Sequence, residues 1–242
     1  MNLKKTLLTA GCILLALGAT HAEELITGDV LSNFRPTKQW HLVDEIAMSA
    51  AEPSQFVSHA DPSGHILLNA NKKTGKLPCL FTRDSYGDLE LNLEFMIPKG
   101  ANAGVYLMGC YEIQIFDSYG VEHLEFSDMG GVYQRYHKEP GHDPKGYEGV
   151  PPLINATKAP GEWQRLDIKF RAPRFDADGL KTEHARFISV HLNGQLVQQD
   201  VEVTGPTRAH PLKKESATGP IAIQGNHGPI AMRSFIVKLV SN

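Results

Sequence analysis

The chain has few cysteines, no segment of sustained helical period and no basic stripe, and each shortage excludes something. Three cysteines occur in 242 residues. Cys12 lies in the leader described below, which leaves Cys79 and Cys110. Two such residues are too few for a zinc knuckle, and neither has a Cys or His partner at ligand spacing. They either form one disulfide in an oxidising compartment or remain buried thiols. The formal net charge is −3, with Lys and Arg scattered, which argues against a nucleic-acid partner. After residue 22 no run is apolar enough to span a membrane, so no membrane span is expected.

The first 22 residues read as a secretory signal peptide. Lys4 and Lys5 form a basic start, an apolar run extends from Thr6 to Ala19, and Thr20-His21-Ala22 ends in a small residue suited to cleavage. A periplasmic or secreted location follows. Cys12 after Thr9-Ala10-Gly11 is a faint lipoprotein signal, but only about six apolar residues precede it, short for that reading. The remainder, residues 23–242, fits a single all-β domain.

What the sequence does contain is alternation with period two, the mark of half-buried antiparallel strands. Leu89, Leu91, Leu93 and Phe95 alternate with Asp88, Glu90, Asn92 and Glu94. Leu166, Ile168 and Phe170 do the same, as do Ile188, Val190 and Leu192. Asn193-Gly194 then signals a hairpin, since both residues tolerate positive φ. About a dozen short strands without helices imply two packed antiparallel sheets, a sandwich or jelly roll. Glu94 and Arg233, each on a strand, suit a structural ion pair.

The informative stretch runs from Asn102 to Asp117. It reads as two strands joined by a tight turn at Met108-Gly109. Tyr111, Ile113 and Ile115 fall on one face, and Glu112 and Gln114 on the other, about 6.6 Å apart. On a regular strand Asp117 faces away from these two; a one-residue bulge would turn it back. A row of acid, amide and acid on one sheet face is a candidate sugar-handling surface, against the ordinary alternative of a solvated outer face. Residues 118–160 follow with little period, four tyrosines (Tyr119, Tyr133, Tyr136 and Tyr147) and three histidines. A long aromatic loop of this kind is expected to cover the polar face. His123, His137 and His142 lack His-x-His or His-x-x-x-His spacing, so zinc is not indicated. A divalent cation such as calcium, held by carboxylates, stays open.

The run Glu112-Ile-Gln-Ile-Phe-Asp117 resembles in part the Glu-x-Asp-x-x-Glu motif of laminarinase-type retaining glycosidases. It departs at two of three positions, where Gln114 and Asp117 replace an Asp and a Glu. A broader resemblance covers most of the chain. Asp88-Leu-Glu-Leu-Asn-Leu-Glu-Phe, Asn102-Ala-Gly-Val-Tyr, Tyr111-Glu-Ile-Gln-Ile-Phe-Asp-Ser, Pro160-Gly-Glu-Trp-Gln, Leu192-Asn-Gly and Gly219-Pro-Ile-Ala-Ile-Gln-Gly-Asn-His-Gly, before Met232-Arg-Ser-Phe, are similar in order and spacing to the secreted 3-keto-disaccharide hydrolase domain family. Two departures are Ala103 for a common Ser and a lengthened Gln224-Gly-Asn-His227.

The resemblance implies a concanavalin-like jelly-roll sandwich of two antiparallel sheets acting on a carbohydrate substrate. It implies cleavage of 3-keto-glycosides by C2 proton abstraction, elimination and water addition. Glu112 is then the candidate base, with Asp117 or His227 as the acid. Asn102, Tyr106, Gln114, Tyr133 and Gln224 are candidate substrate-binding residues, and an Arg, a His or a metal would face the enolate. The alternatives are a non-catalytic carbohydrate-binding module and a conventional retaining glycosidase.

Overall fold

The computed structural model describes residues 22–70, 79–142 and 145–240. All but the last residue of the expected signal peptide, Cys12 included, lies outside the described residues. In chain order the strands are β1 (Ala22–Glu24), β2 (Trp40–Met48), β3 (Phe56–Ala60), β4 (Ile66–Asn69), β5 (Leu80–Phe81), β6 (Leu89–Met96), β7 (Asn102–Leu107), β8 (Tyr111–Phe116), β9 (Arg135–Tyr136) and β10 (Gly146–Tyr147). They continue with β11 (Gln164–Arg171), β12 (Arg174–Phe175), β13 (Lys181–Glu183), β14 (Ala185–Leu192), β15 (Gln195–Val203), β16 (Ala222–Ile223) and β17 (Ile230–Leu239).

Two antiparallel sheets dominate, as expected for the jelly-roll sandwich. The larger runs β15-β14-β11-β6-β17-β4-β2-β3, and β1 adds to β17. There Ala22 pairs with Lys238 and Glu24 with Ile236. The smaller runs β5-β16-β7-β8. Alternation sets which side of each sheet is dry. Leu89, Leu91, Leu93 and Phe95 of β6 share one core with Ala103, Val105 and Leu107 of β7 and with Tyr111, Ile113 and Ile115 of β8. Rings lock the two layers: the Tyr111 and Phe170 centroids lie 5.6 Å apart, and those of Phe34 and Phe235 5.9 Å apart. Burying each such side chain is worth about 1.5–3 kcal/mol.

Both expected hairpins form. Met108 and Gly109 have φ of 55° and 65°, and Asn193 and Gly194 have φ of 52° and 81°. Two consecutive positive φ values match the right-handed twist of the strands they join. Cys79 and Cys110 are free thiols; Cys110 is buried as expected of that state, and Cys79 is half-buried. Arg233 Nε meets Glu94 Oε2 at 2.7 Å, the ion pair expected across neighbouring strands.

The segment 118–160 does more than cover a face. Gly130, Gly131 and Tyr133 exchange backbone hydrogen bonds with Gln114 and Glu112, Val132 bridges to Ile113, and Val150 bridges to Val132. It therefore extends the small sheet beyond β8 and protects an edge that would otherwise be unpaired.

Candidate functional site

The outer face of the small sheet carries the site. Register places its residues without further assumption. On β7 and β8, Tyr106 stands opposite Glu112 and Gly104 opposite Gln114. On the other side of β7, Ala222 stands opposite Tyr106, and the Gln224 N–H donates to the Gly104 carbonyl at 2.9 Å. Asn102 bridges to His227, whose carbonyl accepts from the Asn102 N–H at 3.3 Å. The backbone thus delivers one row from each of three neighbouring strands to a common face.

These side chains line a cavity of about 210 Å³ bounded by Asn102, Tyr106, Glu112, Gln114, Tyr133, Arg208, Ala209, Gln224 and His227. Glu112, Gln114 and Gln224 are buried although polar. The side-chain oxygens of Gln114 and Gln224 have no hydrogen-bond partner within the protein. A buried amide oxygen without a partner is costly, so such atoms are poised to accept from a ligand hydroxyl.

Among the carboxyls of the described residues, Glu112 stands furthest above its ordinary value. Burial pushes its carboxyl up from 4.5 to about 8, with a hydrogen bond from Tyr106 pulling in the opposite direction. Burial first, and then the Glu112 charge, push the Tyr106 hydroxyl well above its ordinary value. The same two causes, in the same order, push the Cys79 thiol up to about 12. They also raise Tyr133, which the Arg208 charge lowers in part. Gly104 makes room for this arrangement, since a Cβ there would lie 2.2 Å from Glu112 Oε1. Tyr133 is held from behind by Phe126, whose ring meets it edge-on at 5.4 Å.

A model of the 3-keto-alpha-glucoside-1,2-lyase-like domain matches residues 21–238. The chain belongs to this family. Among solved structures, this family member is similar to two proteins of Parabacteroides distasonis ATCC 8503, both provisionally named glycosyl hydrolases. The first is 24% identical with a TM-score of 0.58, covering 86% of this chain and 81% of that one. The second is 20% identical with a TM-score of 0.56, covering 91% and 100%. At these identities the likeness is one of fold. No curated protein matches the sequence.

In this 3-keto-alpha-glucoside-1,2-lyase-like domain the expected residues converge with one exception. Glu112, His227, Asn102, Tyr106, Gln114, Tyr133 and Gln224 all border the cavity. Asp117 does not. The pairing of β8 with β7 runs through Phe116 without a bulge, so nothing turns Asp117 back toward Gln114. Its carboxylate instead accepts from the Gly100 N–H at 2.8 Å and pins the turn before β7. Asp117 is therefore removed from the site. The lengthened loop before His227 leaves the histidine at the cavity rim, its Nδ1 2.8 Å from Asn226 Oδ1.

Sequence reasoning left two lining residues unnamed, Ala209 and the charged Arg208. Arg208 sits in an irregular segment with no period to mark it. Its backbone N–H donates to Gln134, and its guanidinium lies 4.7 Å from the Tyr136 ring. Glu112 supplies the only carboxylate among the described residues bordering the cavity. Asn102, Gln114 and Gln224 add amide oxygens, which are also hard-cation ligands, so the divalent cation left open by the sequence stays open. Elsewhere, His137, Glu139 and His142 bring one ligand atom each to within 4.8 Å of one another, a grouping the sequence spacing did not indicate. The two imidazoles stack at 4.1 Å and 11°, so one ring must rotate before both could donate to one ion.

Proposed function

We propose that this domain, exported from the cytoplasm, cleaves 3-keto-glycosides at the bond to C1. The observation that carries the reading is a lone carboxyl, raised to about 8 by burial, among unpartnered amide oxygens. Retaining hydrolysis of an ordinary glycoside requires a second carboxyl about 5 Å away. Here Gln114 occupies the neighbouring position and Asp117 points elsewhere. One base and no nucleophile suit proton abstraction next to a ketone.

The Glu112 carboxylate takes the proton from C2 of the sugar. The C–H electron pair moves toward C3 and becomes an enolate on the keto oxygen. The enolate then expels the C1 substituent; the C1–O bond breaks with its electron pair, and the leaving oxygen takes a proton from His227. Water adds across the resulting enone to give the free 3-keto sugar. Arg208 faces the enolate oxygen, a charge stabilised far better by a fixed cation than by mobile water. Asn102, Gln114 and Gln224 hold hydroxyls, and Tyr106 and Tyr133 wall the ring. A carboxyl near 8 is a stronger base than an exposed one, and its pKa lies close to a neutral working pH.

The test is mass-spectrometric product analysis of the purified protein with 3-keto-trehalose, trehalose and laminarin. Release of glucose and a keto sugar or enone from 3-keto-trehalose alone is expected. Cleavage of laminarin would return the case to a conventional glycosidase, and sugar binding without any cleavage would leave a binding module.

A further inference from the structure

A second, larger cavity adjoins the first. It encloses about 520 Å³ and shares Arg208 and Ala209 with the candidate site, so these two residues stand at the border of both. Its charge runs against that of the molecule. The chain is acidic, with a net −3, yet this wall presents Arg135, Lys138, Arg208, Lys213 and Lys214 against Glu139 and Glu215.

The partners make the imbalance larger. Glu215 is already satisfied: it accepts from the Tyr111 hydroxyl at 2.5 Å and from Lys181 Nζ at 2.9 and 3.0 Å. Glu139 stands beside the imidazoles of His137 and His142. Arg135 is shared with Glu148 at 3.3 Å. Among the described residues, Lys138, Arg208, Lys213 and Lys214 have no ion-pair partner. Arg208 is held in place from one side by the Tyr136 ring, which leaves its donor edge free for an acceptor. A concave wall of unpaired cations focuses positive potential into the hollow.

We propose that this basic hollow is the subsite for the leaving group, and that the leaving group carries an oxyanion, either a carboxylate or a phosphate ester. The inference rests on the cleavage reading above for which end of the substrate enters. With the keto ring at Glu112, the C1 substituent passes Arg208 and enters the hollow. There Lys213 and Lys214, both exposed, reach the anion.

The experiment compares three sugars of nearly equal size: trehalose, trehalose 6-phosphate and the mono-uronic acid of trehalose. Binding of each is measured by calorimetry on the full protein at low and high salt, and kcat/KM is measured on their 3-keto derivatives. Both charged sugars, or one of them if the hollow distinguishes carboxylate from phosphate, should bind about tenfold more tightly than trehalose, the scale of one good charge-assisted contact. The advantage should shrink steeply at about 1 M salt, where the screening length falls to about 3 Å. The double variant Lys213→Gln, Lys214→Gln should lose the advantage and keep trehalose binding unchanged. Equal binding of charged and neutral sugars overturns the proposal, as does a preference that survives the double variant. Tighter binding of a charged sugar with no turnover of any keto sugar would sustain the subsite and sink the cleavage reading; turnover without charge preference would do the reverse.

Discussion

Strands β6 and β8 carry the same alternation and put it to opposite uses. The polar face of β6 is matched by cations on its neighbours. Glu90 meets Lys238 at 3.2 Å and Lys169 at 3.6 Å, and Glu94 meets Arg233 at 2.7 Å. The hydrogen bond from Lys238 is the main reason the Glu90 carboxyl lies below its ordinary value. The polar face of β8 borders a cavity with Tyr106, Tyr133 and Gln224, no ion pair to Glu112 is made among the described residues, and burial drives that carboxyl to about 8. A polar row on a strand is thus a solvated, charge-paired surface or a reactive one according to what lies across it. The strand's own sequence does not say which.

The comparison breaks most sharply at Glu112. Replacing Glu112 with Gln should lower kcat on a 3-keto-glycoside by about 10²–10⁴-fold, the usual worth of a general base, with the fold intact by circular dichroism. Full activity would remove Glu112 from the chemistry. Gly104→Ala acts on the same carboxylate indirectly. The new Cβ would press on Glu112 Oε1 and displace it, so steady-state kinetics should show a loss of about a hundredfold, as misplacement by an ångström commonly produces.

A third expectation concerns pH. If Glu112 is the base, kcat/KM should rise with pH and level off above about 8. Stability should move the other way. The folded pKa is higher than the unfolded value, so the contribution of neutral Glu112 is complete below about 4.5 and is lost as pH rises through about 8. The Glu112→Gln variant does not incur this loss. In urea melts its stability relative to the parent should improve between pH 4 and pH 9 by on the order of 5 kcal/mol. The smallest effect belongs to the other face. Glu90→Gln should change stability by less than about 1 kcal/mol and leave kinetics untouched, because its ion pairs are partly exposed. A large kinetic effect there would erase the distinction between the two faces.

Much of this was legible in the sequence because period-two alternation fixes which side chains share a face. Glu112 and Gln114 needed only that rule, and Tyr106 joined them through the Met108-Gly109 turn, which sets the register of β7 against β8. Asp117 was misplaced because a bulge, which would have returned it to the face, leaves no mark in the residues before it. Arg208 was missed because it reaches the cavity from an irregular segment far along the chain. The burial that raises Glu112 was likewise hidden, since a strand's alternation does not show what packs around its polar face. The grouping of His137, Glu139 and His142 depends on a loop path that spacing rules for helices and strands do not describe.

The pairing of β1 with β17 has a mechanical consequence. Glu23 lies against Val237, so the beginning and the end of the sandwich emerge side by side from the same end of one antiparallel ladder. A pull that separates those two points loads the hydrogen bonds one after another, as a zipper is opened, instead of shearing them together. Tethered by one end and drawn by the other, the sandwich would give way first at β1, leaving β6 and the small sheet with its cavity to yield later.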